Sequence, residues 1–412
     1  MTKESHPFLI VLLASVIAIT PLAVDMYLPA MPDIAHELDA HIGSVQQSLS
    51  IFLAAYGLGM LLFGPLADSL GRRPLAIFGL TGFTLCSIAL AFVDNINHFL
   101  CLRALQAFCG AAATVVVPGI VRHLYQEHTA KGMSYLSMIM MLAPLLAPTI
   151  GSAILWVSEW RSIFVVLAIY GAVILRLVWK WLPEIDKPIN DKPTAAGNFL
   201  SGYKIVFSNS LARPLIVSMM FGSFAFFCFI TAVSFIYINY FGVSEQVFSV
   251  LFGANVICLI VANFINSRLV TRLGSLRMLR IGVVLALLSA ILLCVFNFIG
   301  LNIWFSVFSI APLMAGLTLI STNTDALVLM KFPHNSGTAT AVTGTLRFGS
   351  GAFAGPLLAF FYTGTAMPFS LLMLSGVLGV IVCQLWFAYN DNHLAENNKR
   401  EGDELIFYRT RQ

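Results

Sequence analysis

Pro7–Met31 reads PFLIVLLASVIAITPLAVDMYLPAM, and the reading of this stretch decides the fold. About 20 apolar residues, each rising ~1.5 Å along a helix, cross the ~30 Å hydrocarbon core of a bilayer. The run is therefore long enough to span. It holds one charge, Asp25, followed by Met26, Tyr27, Leu28 and Pro29. A charged side chain at membrane depth costs at least about 2.5 kcal/mol, so Asp25 is expected to face protein or water and not lipid. A buried acid also escapes that cost by taking up a proton, which is what a proton-coupled carrier requires. The competing reading is an acid at the membrane edge that snorkels to the outer headgroups. Lys3 precedes the run and no small-x-small cleavage site ends it, so a retained first span is expected in place of a removed signal peptide.

Working outward, the whole chain shares this character. Of its 412 residues 58% are hydrophobic and 10% charged, against about 25% charged in soluble domains. An all-α integral membrane protein follows. The net charge of +4 is spread through short loops, which excludes a basic nucleic-acid surface. The cysteines, Cys86, Cys101, Cys109, Cys228, Cys258, Cys294 and Cys383, all fall in apolar runs without CxxC spacing. They read as small hydrophobes. The histidines lie near loops and helix ends, and no His/Cys/Asp cluster has ligand spacing. No metal or cofactor is expected.

Apolar runs separated by short turns fall at 8–31, 44–67, 75–95, 98–121, 132–157, 162–182, 213–241, 247–267, 278–299, 302–330, 337–362 and 368–389. These predict about twelve transmembrane helices, since an open chain satisfies its backbone inside lipid only as helix. With the N-terminus in the cytoplasm, Arg103 and Arg347 fall inside spans and Arg161 in an outer loop. Every other Lys and Arg then lies on the cytoplasmic side, the positive-inside pattern, with both termini cytoplasmic. Pro183–Asn209, PEIDKPINDKPTAAGNFLSGYKIVFSN, is the longest internal polar stretch. It predicts an N-terminal six-helix bundle at 1–183, a cytoplasmic linker at 184–210, a C-terminal six-helix bundle at 211–389, and a polar, mobile cytoplasmic tail at 390–412. A faint repeat relates the halves: Gly274 follows Gly71 by 203 positions, and Gly355-Pro356 follows Ala147-Pro148 by 208. That spacing suggests a parallel duplication and two pseudo-symmetric bundles.

Three motifs carry chemistry. The turn after the second run reads GPLADSLGRRP, Gly64–Pro74. Gly64 is expected at a close helix crossing, Gly71 in a tight turn, and Asp68 within reach of Arg72 and Arg73. The fourth run, Leu100–Gly119, reads LCLRALQAFCGAAATVVVPG, with Arg103 and, one turn on, Gln106 on the same face. A buried Arg keeps its proton and wants a carboxylate or carbonyl partner. Asp25 is the one acid within the apolar spans of that half; the alternative is a snorkelling anchor near the helix end. The fifth run contains MLAPLLAPTIGS, Met141–Ser152. There Pro144 and Pro148 bend the helix, and Ala143, Ala147, Gly151 and Ser152 make a narrow face.

The first motif resembles the loop signature of the major facilitator superfamily, G-x-L-x-D-x-x-G-R-R/K, at Gly64, Leu66, Asp68, Gly71, Arg72 and Arg73. The resemblance implies a cytoplasmic latch that helps hold the outward-open state; the second copy, Ser267, Thr271, Gly274 and Arg277, lacks the acid. The second motif resembles the family's R-x-x-Q-G, with Ala107 in place of Gly, and the third its antiporter motif G-P-x-x-G-G, at Pro144, Pro148 and Gly151, with Ala147 and Ser152 in place of Gly. With DMYLPAMP at Asp25–Pro32, the chain looks like the bicyclomycin/chloramphenicol-resistance branch of the drug/proton antiporters. That resemblance implies export of small drug-like molecules across the inner membrane, exchanged for protons by alternating access, with Asp25 and Arg103 as the coupling pair.

The C-terminal half is less marked. Its seventh run, Phe221–Phe241, reads FGSFAFFCFITAVSFIYINYF. A substrate cavity is expected from Phe224, Phe227, Thr231 and Ser234 together with Tyr27, Tyr56 and Gln106. Asp325 and Arg347, the remaining acid and base within apolar spans of this half, are expected to pair. A monomer in the bilayer is expected to suffice. The rival within transport is a carrier for an amino acid or sugar. A membrane-embedded enzyme would need a reactive constellation at membrane depth, and none is present in the sequence; a sensor would need a sizeable extramembrane domain, also lacking.

Overall fold

The computed structural model describes residues 6–125, 136, 142–183, 204, 206–332 and 336–409. Their regular structure is helical. Ten helices among the described residues are long and apolar enough to cross a membrane. Large apolar side chains such as Leu85, Phe298, Phe308 and Leu385 are exposed around the outside, a surface water would oppose and lipid accepts.

The N-terminal helices are α1 His6–Asp25, α2 Met31–Glu37, α3 Ile42–Leu70, α4 Arg72–Leu90, α5 Ile96–Thr114, α6 Val117–Tyr125, α7 Ala143–Val157 and α8 Arg161–Trp181. The C-terminal helices are α9 Ala212–Ser234, α10 Glu245–Leu273, α11 Ser275–Ile299, α12 Ile303–Lys331, α13 Ser336–Gly351, α14 Ala354–Phe360 and α15 Met367–Arg409. Helix α9 runs on into one π-helical segment, Phe235–Tyr240.

Prolines set the breaks. A proline ring collides with the carbonyl four residues earlier and removes a donor. Pro29 lies four after Asp25, where α1 ends; Pro118 four after Thr114, where α5 ends; and Pro356 four after Ala352, in the gap between α13 and α14. Three runs expected to be continuous, 8–31, 98–121 and 337–362, are thus interrupted. The run expected at 132–157 is described at Leu136 and from Leu142, with α7 as its ordered helix. The linker expected at 184–210 lies largely outside the described residues. Helix α15 carries helical backbone to Arg409, beyond the expected end at 389. The Ala, Glu, Lys and Arg of that segment are good helix formers.

The repeat is structural. Gly71 and Gly274 join successive helices with φ of +98° and +79°, a region that favours glycine. Close crossings recur at the same offset. A Cβ on Gly79 would lie 2.4 Å from the Ala113 nitrogen, and one on Gly282 would lie 2.9 Å from the Gly316 carbonyl oxygen. Each partner stands 203 positions from its counterpart.

The two groups of helices meet at the end away from the Gly71 turn. Ser152 on α7 donates to the Glu245 carbonyl at 3.0 Å and bonds the Ser249 hydroxyl. Ser249 also donates to the Pro148 carbonyl at 3.0 Å. On the other side of the seam, the Gly355 amide donates to Ser50 Oγ at 2.8 Å. The expected counterparts Ala147-Pro148 and Gly355-Pro356 both lie at this seam.

Candidate functional site

Below the seam, between the two groups, lies a cavity of about 640 Å³. Its N-terminal wall is apolar apart from Thr20 and Asp25: Ile17, Pro21, Val24, Leu53, Leu136 and Pro144. Its C-terminal wall combines phenylalanines of α9, α10 and α13 with Asn255 and Asn263 of α10 and Thr318, Ser321 and Thr322 of α12.

Asp25 is the last residue of α1 and is 5% exposed. It lines the cavity. Its carboxyl has no hydrogen bond or ion pair among the described residues. The break beyond it is held from α7, where a Cβ on Gly151 would fall 2.0 Å from the Met26 carbonyl oxygen. Only glycine admits that approach, which gives the narrow face of the fifth run its purpose.

Arg103 is wholly buried, so it is not a snorkelling anchor. The expected ion pair with Asp25 is not formed. Arg103 Nη1 donates to Gln106 Oε1 at 2.7 Å, and Gln106 Nε2 donates to Ser87 Oγ at 2.8 Å. Ring faces cover the guanidinium: Tyr27 at 4.3 Å, Phe52 at 4.5 Å and Phe164 at 5.9 Å. Because Pro29 ends α1 at Asp25, the chain turns and presents Tyr27, two residues on, to Arg103. Cation–π contact then takes the place of a carboxylate. Nε and Nη2 have no partner among the described residues. Tyr27 itself bonds Ser48 Oγ at 3.1 Å.

The expected cavity residues divide. Phe227 lines the cavity. Tyr27 and Gln106 belong to the Arg103 cluster. Tyr56 bonds Thr114 Oγ1 at 2.7 Å and sets its ring 4.7 Å from Phe348 across the seam. Phe224 is partly buried against the core, and Thr231 and Ser234 are fully buried with unpartnered hydroxyls among the described residues. Of the expected set only Phe227 lines the cavity, and the rest are corrected: Tyr27, Tyr56 and Gln106 are engaged away from it, and α9 turns the face of Gly222, Ser223, Phe226, Phe229 and Ile230 to the cavity, not that of Phe224, Thr231 and Ser234. The amides Asn255 and Asn263 were absent from the expected set. Their signal was available, since polar side chains inside apolar spans tend to face the protein interior.

Arg347 Nη2 donates to both Asp325 oxygens, at 2.7 and 2.6 Å, and Arg347 lines the cavity. At the other end, Arg72 Nη1 donates to the Gly119 carbonyl at 2.8 Å and Arg73 Nη2 to the Trp179 carbonyl at 2.6 Å. The latch arginines thus tie the α3–α4 turn to α6 and to the last turn of α8. The Asp68 side chain lies outside the described residues. A Cβ on Gly64 would meet nothing within 4 Å among the described residues, so the expected close crossing at Gly64 is corrected: close crossings fall elsewhere, Gly79, Gly151 and Gly282 among them. Outside the seam, Arg161 bonds Glu37 and Asp94.

Residues 13–356 match the profile of the Major Facilitator Superfamily. A bicyclomycin resistance protein homolog of Haemophilus influenzae is 33% identical over 377 residues, covering 89% of this chain and 93% of that protein. Multidrug resistance protein D of Escherichia coli is 26% identical over 397 residues, covering 95% and 99%. Among solved structures, the nucleoside transporter NupG superposes with a TM-score of 0.71 at 13% identity, covering 94% of this chain and 99% of that one.

Proposed function

The chain belongs to the Major Facilitator Superfamily and is related to drug-resistance efflux proteins, and from that premise we propose that it exports drug-like small molecules in exchange for protons. The observation that carries the proposal is Asp25, an acid at a helix break, on the wall of a largely apolar cavity, its carboxyl in no ion pair among the described residues.

A carboxylate in that position is costly. Proton and substrate therefore compete at one wall. With the cavity facing the cytoplasm, Asp25 gives up its proton and substrate enters. The two bundles, 1–183 and 211–389, rock about the cavity. Exposure to the outside returns a proton to Asp25 and substrate leaves. Arg103, clamped by Tyr27, Phe52 and Gln106, keeps a fixed positive charge beside the segment that follows Asp25, so movement of the break changes the field at the carboxyl. Arg72 and Arg73 anchor the cytoplasmic ends of the N-terminal helices. The excess of Lys and Arg on one side supports cytoplasmic termini in a protein of the inner membrane.

Substrate-stimulated proton movement tests the function. Purified protein in proteoliposomes is challenged with a panel of drugs, amino acids and sugars while internal pH is followed. Proton flux evoked by drugs supports export. Flux evoked by amino acids or sugars alone, or by nothing in the panel, contradicts it.

A further inference from the structure

We propose that Arg347 determines the specificity of the cavity, reading a hydrogen-bond acceptor on an uncharged and mainly apolar ligand, with Asp325 as its positioning residue. The inference rests on the cavity being the transport site proposed above. A volume of about 640 Å³ lies within the ~300–1,000 Å³ of small-molecule sites. The rings of Phe226, Phe227, Phe229, Phe252 and Phe348 form an apolar wall. Arg347 is the one basic side chain among the described residues lining it.

A guanidinium presents five N–H donors in one plane. Both bonds to Asp325 leave from a single nitrogen, Nη2. Among the described residues Nε is buried without a partner and no bond leaves Nη1. Unlike Nε, Nη1 is not closed off and belongs to a side chain that lines the cavity, so it is the donor left open to an acceptor. Asp325 is not among the lining residues; it stands behind the guanidinium and fixes its plane. Its charge offsets that of Arg347. The ligand therefore meets oriented N–H groups with little net charge, an environment that rewards a carbonyl, nitro or hydroxyl oxygen and does not require a counter-ion. Phe348, the next residue, also lines the cavity and offers a ring to a flat apolar body. Lysine keeps the charge but lacks the fork.

The test measures binding of chloramphenicol, a neutral acceptor-rich aromatic amide, to the purified full chain by equilibrium dialysis, with the melting temperature read in parallel. Arg347→Lys is expected to raise Kd about tenfold or more, the loss of one or two charge-assisted hydrogen bonds, with the melting temperature retained. The exchange Arg347→Asp with Asp325→Arg re-forms the ion pair but moves the guanidinium off the wall. It is expected to recover the melting temperature lost in either single variant while Kd stays high. Recovery of Kd by the exchange, an unchanged Kd in Arg347→Lys, or no binding by the native protein overturns the proposal. Native protein that binds chloramphenicol yet moves no protons counts against the export reading and leaves the assignment of Arg347 standing.

Discussion

Gly355→Val is expected to force the seam apart. In the structure a Cβ at Gly355 would lie 2.4 Å from Ser50 Oγ and 3.1 Å from the Gln46 carbonyl oxygen. Ser50 is short and the Gln46 contact is backbone, so neither yields cheaply. The Gly355 amide also donates to Ser50 Oγ at 2.8 Å. Overpacking costs about 1–3 kcal/mol, and the strained hydrogen bond adds about 1 kcal/mol. The seam-closed state then loses about 2–4 kcal/mol, a shift in population of about 30- to 700-fold. If the bundles separate at this end during transport, the open state does not share that loss. Electron–electron distances between spin labels at His41 and Thr363, in a background stripped of reactive cysteines, read the populations. A longer distance should dominate in Gly355→Val, and Ser50→Ala should move the balance the same way by less. An unchanged distance distribution, in a variant that melts like the native protein, refutes the reasoning.

Two further outcomes test the packing around the break in α1. Arg103→Met should leave the melting temperature unchanged or raise it, because the cost of burying a charge without a carboxylate is removed by a side chain that fills the same ring-lined slot, while gradient-driven transport falls; a large drop in melting temperature means that the ring contacts and the Gln106 bond outweigh that cost and contradicts this reasoning. Gly151→Ala should cost at least about 1–3 kcal/mol by thermal or denaturant unfolding, since its Cβ would sit 2.0 Å from the Met26 oxygen, whereas Gly349→Ala, with open space around it, should fall within about 0.5 kcal/mol of native.

The spans were legible because membrane length is a local property of an apolar run, and the turns at Gly71 and Gly274 because only glycine accepts their backbone. The breaks were written in the sequence as well, four residues before Pro29, Pro118 and Pro356, yet apolarity on both sides hid them in continuous runs. Asp325 and Arg347 were found because one acid and one base remained on neighbouring spans. The same elimination failed for Asp25 and Arg103. An inventory of charges does not say that a proline turns the chain between them, or that Tyr27 and Phe52 fill the space. The hydroxyls of Thr231 and Ser234 look like cavity residues until the rotation of α9 is known, and rotation depends on packing against helices distant in sequence.

The central claim is that one carboxyl exchanges its proton for cargo. The direct measurement compares native protein and Asp25→Asn in proteoliposomes, once with an imposed pH gradient and once as counterflow without one. The account predicts that counterflow persists in Asp25→Asn while the gradient no longer drives accumulation. Accumulation that still follows the pH gradient in Asp25→Asn contradicts it.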